Sequence, residues 1–216
     1  SGRIDIKIRC GGQVSEVTLN ILDLDIHHCD MIIDGRPRPC TFQCDPSREV
    51  LNVALPRPCV DSFVLRIAYE GEINDKMAGF YRSSCTREGR TVYIAVTQFQ
   101  ESDARRAFPC FDNPRQKATF AIEIVIDEDL TAVSNMDVVG TIPAGAGKKR
   151  VKFRRTPRMS TYLVFLASAI SRRLSTTMIS GYEWSRYPAE QRMGPPVWST
   201  GAAPGQWPPP PPRRRP

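Results

Sequence analysis

The stretch TQFQESDARRAFPCFDNP, residues 97–114, lies between two segments that have the pattern of β-strands. Arg90–Val96 before it ends in β-branched and apolar residues, and Ala118–Ile126 after it carries large apolar residues at every second position. The stretch itself mixes arginines, acids, amides, a cysteine and three aromatic residues. Connections of this length and composition are usually functional or packed in a defined shape. We therefore predict a structured loop at 97–114 between two strands.

Short strands are predicted along most of the first 170 residues. Arg3–Cys10 alternates strictly between apolar and charged residues, as a half-buried strand does. Val17–His28 is predicted as a longer strand, and its change of phase at Ile21-Leu22 indicates either a bulge or burial on both faces. Further strands are predicted at Val50–Leu55, Ser62–Tyr69, Gly79–Ser83, Val151–Arg154 and Tyr162–Ala169. The one helical candidate is a turn at Ser102–Ala107, so the pattern predicts an all-β, antiparallel, two-layer β-sandwich.

The chain changes character after residue 170. Ten of its nineteen prolines lie between Tyr187 and Pro216, where a run of prolines precedes three arginines. Such a composition favours a solvated polyproline-type chain, because it can neither form strand ladders nor bury a core. We therefore predict a β domain over residues 1–170 and a disordered Pro/Arg-rich tail over residues 171–216.

The net charge of +7 is concentrated in the predicted tail, which holds seven arginines and two glutamates. The predicted β domain thus gives no electrostatic reason to expect nucleic-acid binding. The longest apolar run, near 162–170, is much shorter than the roughly 20 residues that span a membrane. No basic-then-apolar signal segment opens the sequence, so we expect neither nucleic acid nor membrane as a partner.

The seven cysteines are odd in number and have no regular spacing. We interpret them as reduced thiols in a cytoplasmic compartment, because a disulfide framework is normally even in number and found in shorter chains. Cys40 and Cys44 are spaced as a possible metal-binding pair, but no second pair matches them.

Several side chains of loop 97–114 have a structural interpretation. Arg105 and Asp112 can pair within the loop and fix its shape, and Phe108 and Phe111 are expected to pack in the core. Cys110 has arginines nearby in sequence but no histidine that would act as a base, which argues against a catalytic thiolate.

Seven short motifs, which follow one another along the chain, together resemble the N-terminal domain of the zinc aminopeptidases of the aminopeptidase N and puromycin-sensitive aminopeptidase type. The motifs are Gly71–Asp75, Gly79–Ser83, Thr97–Gln100, Ala104–Pro114, Lys117–Phe120, Ser134–Met136 and Thr156–Val164. The resemblance covers about residues 2–168. It implies a saddle-like β domain that covers one side of the active-site cleft, here without its catalytic domain.

The resemblance also implies a substrate-binding role for two residues. The family's Thr-Gln-x-Glu loop contacts the first residue of the substrate; Gln98 matches its glutamine, and Gln100 stands where the family has the glutamate. A carboxylate there makes a charge-assisted hydrogen bond with the free α-amino group, whereas an amide keeps an acceptor without the charge. Glutamine at this position occurs in the related leukotriene hydrolase branch. Glu101 is expected to face the other way along an extended segment.

The family's catalysis requires zinc held by an H-E-x-x-H helix and a further glutamate. This sequence contains no H-E-x-x-H, and its two histidines, His27 and His28, are adjacent in a predicted strand. Neighbouring strand residues point to opposite faces, so these imidazoles are not expected to share a metal. We predict no catalytic residue and no cofactor in this chain, with zinc belonging to the missing catalytic domain.

Two functions of different classes follow. The first is a scaffold and substrate-access domain of a zinc metalloaminopeptidase, inactive as a peptide hydrolase alone and contacting peptide N-termini once a catalytic domain is present. The alternative is a stand-alone protein- or peptide-interaction module whose Pro-rich tail docks onto an SH3- or WW-type domain.

Overall fold

The computed structural model describes residues 1–87, 89–170 and 177–187, which form sixteen β-strands and two 3-10 turns, Ala104–Arg106 and Thr161–Leu163. The strands are β1 Gly2–Cys10, β2 Val14–Asn20, β3 Leu24–Ile33, β4 Arg36–Pro39, β5 Thr41–Asp45, β6 Val50–Cys59, β7 Ser62–Gly71, β8 Gly79–Arg87, β9 Arg90–Gln98, β10 Lys117–Asp127, β11 Ala132–Ser134, β12 Val138–Gly145, β13 Lys148–Phe153, β14 Met159–Ser160, β15 Leu166–Ile170 and β16 Thr177–Tyr187.

The strands form three sheets, and the predicted all-β fold is confirmed. The largest sheet has nine strands in the order β12-β13-β10-β16-β1-β7-β3-β4, with β14 paired to β10. A four-stranded sheet runs β11-β15-β9-β8, and a three-stranded sheet runs β2-β6-β5. Among the strands described, β1 and β16 run parallel to each other and the other neighbours are antiparallel.

The core lies between the large sheet and the three-stranded sheet. The alternation along β1 buries Ile4, Ile6 and Ile8 completely, as period-two patterning requires. They share one hydrophobic cluster with Leu19 of β2 and Leu51 of β6. The two sheets therefore form the two layers that the sequence predicts.

One edge strand of the large sheet, β4, is protected by prolines. In β4, Pro37 and Pro39 are opposite Ile32 and Asp30 of β3. The backbone N–H of Cys40 donates to the Cys29 carbonyl at 2.9 Å. Backbone nitrogens in an antiparallel pair point toward and away from the partner strand in alternation, so the nitrogens of Pro37 and Pro39 point away from β3. The outer side of β4 therefore lacks N–H donors at these two positions, which hinders pairing with a strand of another chain.

The predicted long strand Val17–His28 is wrong. β2 ends at Asn20 and β3 begins at Leu24, with Asp23 in the left-handed region at φ 55°. The change of phase in the sequence marks a connection between two sheets rather than a bulge. The β-irregularity occurs later, between Ile26 and His28 in the register of β3 with β7.

Within the segment predicted as a Pro/Arg-rich tail, residues 177–187 form β16 of the large sheet, between β1 and β10. Positions 171–176 and 188–216 lie outside the described residues, so the Pro-rich docking segment and its SH3- or WW-type partner stay predictions. No helix in the described part of the chain has the length and apolar character needed to cross a membrane.

Candidate functional site

Loop 97–114 is fastened to the core by aromatic side chains. Phe99 and Phe108 are 2% and 1% exposed, and their rings meet edge to face with centroids 5.8 Å apart. Phe108 also contacts Phe120 of β10 at 6.5 Å between centroids. Phe111 is buried too, which confirms the core interpretation of Phe108 and Phe111. These contacts hold both ends of the loop against the large sheet.

Gln98 and Gln100 are exposed on either side of the buried Phe99. Gln98 is the last residue of β9 and is opposite Gly79 of β8. The peptide bond between Gln100 and Glu101 is cis, and Glu101 is exposed as well. Burial of Phe99 therefore presents two neutral amides to solvent at the end of the four-stranded sheet.

The predicted pair of Arg105 and Asp112 is confirmed and belongs to a larger network. Arg105 Nε donates to Asp112 Oδ2 at 3.0 Å, and its Nη1 donates to Glu49 Oε2 at 2.8 Å. The Thr161 hydroxyl donates to the other Asp112 oxygen at 2.8 Å. Burial alone lowers the Arg105 pKa, but Asp112 and then Glu49 outweigh it, so the pKa is raised overall.

A second set of contacts joins the loop to β2, and sequence reasoning missed it. The backbone N–H of Asn20 donates to the backbone carbonyl of Cys110 at 2.7 Å, and the backbone N–H of Cys110 donates to the backbone carbonyl of Asn20 at 3.2 Å. The Asn20 side chain also accepts from the Asp112 amide at 3.1 Å. The loop is therefore held by contacts to both layers of the sandwich. Asn20 lies far from the loop along the chain, so no pattern within the loop sequence indicated this contact.

Gly79 allows the loop to approach β8. Its φ is +71°, and a Cβ atom there would lie 2.7 Å from the Arg106 Cβ. Arg106 Nε donates to Asp103 at 2.9 Å, and Arg106 also pairs with Asp23. The helical turn predicted at Ser102–Ala107 is present as a 3-10 turn at Ala104–Arg106.

Three partly exposed apolar side chains lie on β11 and on the segment that leads into β15, and we call Val133, Leu163 and Phe165 the apolar patch. Their exposures are 51%, 47% and 38%. The Asn135 side chain donates to the Leu163 carbonyl at 2.8 Å and accepts from the Phe165 amide at 2.7 Å. Ala167 is opposite Val96, and the Leu166 amide donates to the Thr97 hydroxyl at 2.9 Å.

The histidines do not form a metal site. His27 Nε2 lies 3.5 Å from Glu70, whereas His28 Nε2 lies 2.9 Å from Asp30. The described residues contain no cluster of three or more His, Cys, Asp or Glu side chains suited to a metal ion. The donor set of the described part of the chain therefore does not fit the catalytic zinc that the family uses.

The cysteines that drew attention in the sequence lie in unrelated surroundings. Cys110 is fully buried, and burial raises its pKa well above the usual value, which is unfavourable for a nucleophile. Cys44 is exposed on β5, while Cys40 is opposite Cys29 of β3. Cys40 and Cys44 therefore have different surroundings, and these do not support the possible metal-binding pair considered from the sequence.

The fold and site together define a β-sandwich module that displays a loop held by buried aromatic rings and by the ion pairs of Arg105. The model of the Peptidase M1 N-terminal domain matches residues 1–163, and the chain belongs to this family.

Similar proteins carry aminopeptidase names. "Aminopeptidase 2, mitochondrial" of Saccharomyces cerevisiae is 42% identical over 170 residues, which are 76% of this chain and 17% of the relative. "Puromycin-sensitive aminopeptidase" of Caenorhabditis elegans is 39% identical over 155 residues, 69% of this chain and 16% of the relative. "Aminopeptidase N" of Acetobacter pasteurianus is 35% identical over 170 residues, 78% of this chain and 47% of the relative. The chain thus spans less than a fifth of the length of the first relatives.

Proposed function

We propose that this domain is the non-catalytic, substrate-side wall of a zinc aminopeptidase, with Gln98 and Gln100 contacting the N-terminal residue of a bound peptide. The observation that supports this proposal most is that Phe99 is buried while Gln98 and Gln100, on either side of it, are exposed to solvent. In this proposal, zinc and the groups that cleave the peptide bond come from the catalytic region of the family. The relatives' names support the reaction class, release of N-terminal residues from peptides.

The chemistry of the two amides suits recognition of a peptide end. An amide side chain offers an acceptor for an ammonium group and a donor for a carbonyl oxygen. Gln100 lacks the negative charge of a glutamate, so it would bind the α-amino group through a weaker, neutral acceptor. The network around Arg105 supports this role because it holds the loop before substrate arrives, which reduces the entropy lost on binding.

The apolar patch supports the placement of a second domain beside these amides. Asn135 uses two hydrogen bonds to hold the backbone of Leu163 and Phe165, while their side chains remain partly exposed. Ordered, exposed apolar side chains are typical of surfaces covered by another domain. We propose that the catalytic region covers this patch and so brings zinc close to Gln98 and Gln100.

The experiment is a chimera in which residues 1–163 of this chain replace the matched region of the yeast relative, assayed with aminoacyl fluorogenic substrates. Gln100→Glu should lower KM about fivefold, because a charge-assisted bond to the amine adds roughly 1 kcal/mol. Gln98→Ala should raise KM by a similar factor. Gln13→Ala, which changes an exposed glutamine before β2, is the matched control and should leave KM unchanged.

The isolated chain, supplied with zinc, should show no turnover of the same substrates. Zinc-dependent turnover by the isolated chain would overturn the non-catalytic role. An active chimera whose KM is insensitive to both glutamine changes would overturn the substrate-binding role while leaving the family assignment intact.

We also propose that the protein works in a reducing compartment of cytoplasmic type. The six cysteines with described side chains are free thiols, which supports this placement. Measuring thiol content directly after lysis under alkylating conditions tests it, and finding stable disulfides in protein from unstressed cells would contradict it.

A further inference from the structure

Two cysteines are opposite each other at the edge of the large sheet. Asp30 pairs with Pro39, so the next position pairs Cys29 of β3 with Cys40, and the Cys40 amide donates to the Cys29 carbonyl at 2.9 Å. In such a hydrogen-bonded antiparallel pair the Cα atoms are about 5.5 Å apart, which falls within the range that a disulfide spans. Both side chains lie on the same face of the ladder.

The surroundings of the two thiols differ. Cys29 is 1% exposed within the core cluster, whereas Cys40 is half-buried at the rim of that cluster. The Cys40 thiol donates weakly to the Arg38 carbonyl at 3.9 Å, and the proximity of the two thiols raises the pKa of Cys29 and lowers the pKa of Cys40. The more accessible sulfur is thus the one more readily present as thiolate, and its neighbour is a sheltered thiol that can displace an adduct.

We propose that Cys29 and Cys40 form a reversible dithiol site that is oxidised to a cross-strand disulfide by small-molecule disulfides of the glutathione type. The Cys40 thiolate attacks one sulfur of the small disulfide, breaks its S–S bond and releases one thiolate, leaving a mixed disulfide on Cys40. The Cys29 thiol then loses its proton and attacks the Cys40 sulfur, so that the protein disulfide forms and a second small thiol leaves. The protein loses two hydrogen atoms and the small disulfide is reduced to two thiols.

The position in the fold gives the bond a physical consequence. Cys40 lies between β4, at the edge of the large sheet, and β5, in the three-stranded sheet. A Cys29–Cys40 bond therefore fastens this crossing segment to β3 through a covalent link in addition to backbone hydrogen bonds. The opening of the β4 edge should be suppressed in the oxidised protein, as slower amide exchange at Arg38 and Cys40 would show.

A second close pair provides an internal comparison. Burial first and the neighbouring Cys59 second raise the pKa of Cys10 to about 11. Cys10 is opposite Tyr187 of β16 and Cys59 is opposite Val14 of β2, so the registers of the described strands do not set these two thiols opposite each other, as they do Cys29 and Cys40. Oxidation of the intact chain should thus join Cys29 to Cys40 before it joins Cys10 to Cys59.

The test is disulfide mapping of the whole chain after exposure to graded ratios of oxidised to reduced glutathione, with acid quenching and alkylation. Cleavage before aspartate and after phenylalanine separates the three candidate thiols, because Asp30 and Asp34 lie between Cys29 and Cys40 and Phe42 lies between Cys40 and Cys44. The fragments that carry Cys29 and Cys40 should stay joined, and dithiothreitol should separate them. Cys44→Ser should leave the link intact, and Cys40→Ser should abolish it.

Reading the link in the unmodified chain makes the result independent of whether a variant folds. A persistent glutathione adduct on Cys40 with Cys29 still open to alkylation would overturn the proposal. A Cys10–Cys59 link that forms while Cys29 and Cys40 remain reduced would overturn it as well. The outcome does not depend on Gln98 or Gln100, so it is separable from the substrate-binding role.

Discussion

Replacing Arg105 by methionine should destabilise the domain by about 3 kcal/mol, because breaking a buried ion pair leaves an uncompensated charge. The Asp112 side chain is 1% exposed and the Arg105 side chain 15% exposed, so water cannot solvate the remaining carboxylate. The Thr161 hydroxyl retains one bond to Asp112. Glu49 is 41% exposed, and its lost pairing should add less than about 1 kcal/mol.

The assay is urea unfolding of the whole chain followed by far-ultraviolet circular dichroism, with Arg155→Met as the control. Arg155 is exposed, so its loss should change the free energy of unfolding by less than about 0.5 kcal/mol. A thermal scan of the Arg105→Met variant should show a Tm lower by roughly 10 °C for a domain of this size.

A double-mutant cycle separates charge from packing. Asp112→Asn removes the carboxylate, so combining it with Arg105→Met leaves no unpaired charge in the core. The double variant should be more stable than the sum of the two single losses predicts, by at least about 2 kcal/mol. Additive losses, or a loss below about 1 kcal/mol in the Arg105→Met variant, would refute the view that this pair holds the loop.

Two further stability predictions use the same unfolding assay. Phe108→Ala should cost about 4 kcal/mol, because it removes a fully buried ring at the base of the loop, whereas Phe165→Ala on the exposed patch should cost under about 1 kcal/mol; equal losses would contradict the anchoring role. Gly79→Ala should cost about 2 kcal/mol, since its φ is +71° and the new Cβ would meet Arg106, whereas Gly140→Ala has nothing within 4 Å and should be nearly neutral. An unchanged urea midpoint of unfolding for the Gly79→Ala variant would show that the loop does not depend on the close approach of Arg106 to Gly79.

Strands with strict alternation were predictable because burial of one face imposes a period of two. Arg3–Cys10 and Ala118–Ile126 correspond to β1 and β10 for this reason. β12 was not predicted, since all of its residues are exposed and no buried face imposes a pattern. β4 was missed because its prolines argue against a strand, although they suit an outer edge.

For the candidate site, loop 97–114 and the pairing of Arg105 with Asp112 were recognisable because they are local in sequence. The partners that complete the site come from distant segments: Asn20, Glu49 and Thr161 have no signal near the loop. Their contribution depends on how the two layers pack, which local propensity does not encode.

The sequence by itself determined the all-β class, the family and the position of the loop, because these depend on periodicity and on motifs of neighbouring residues. Only the tertiary structure decided which thiol is opposite which, and which carboxylate each histidine contacts. It also joined Leu166 to Thr97 through a hydrogen bond, although they lie far apart along the chain. Strand order and register bring such residues together, and they are consequences of packing the whole chain around one core.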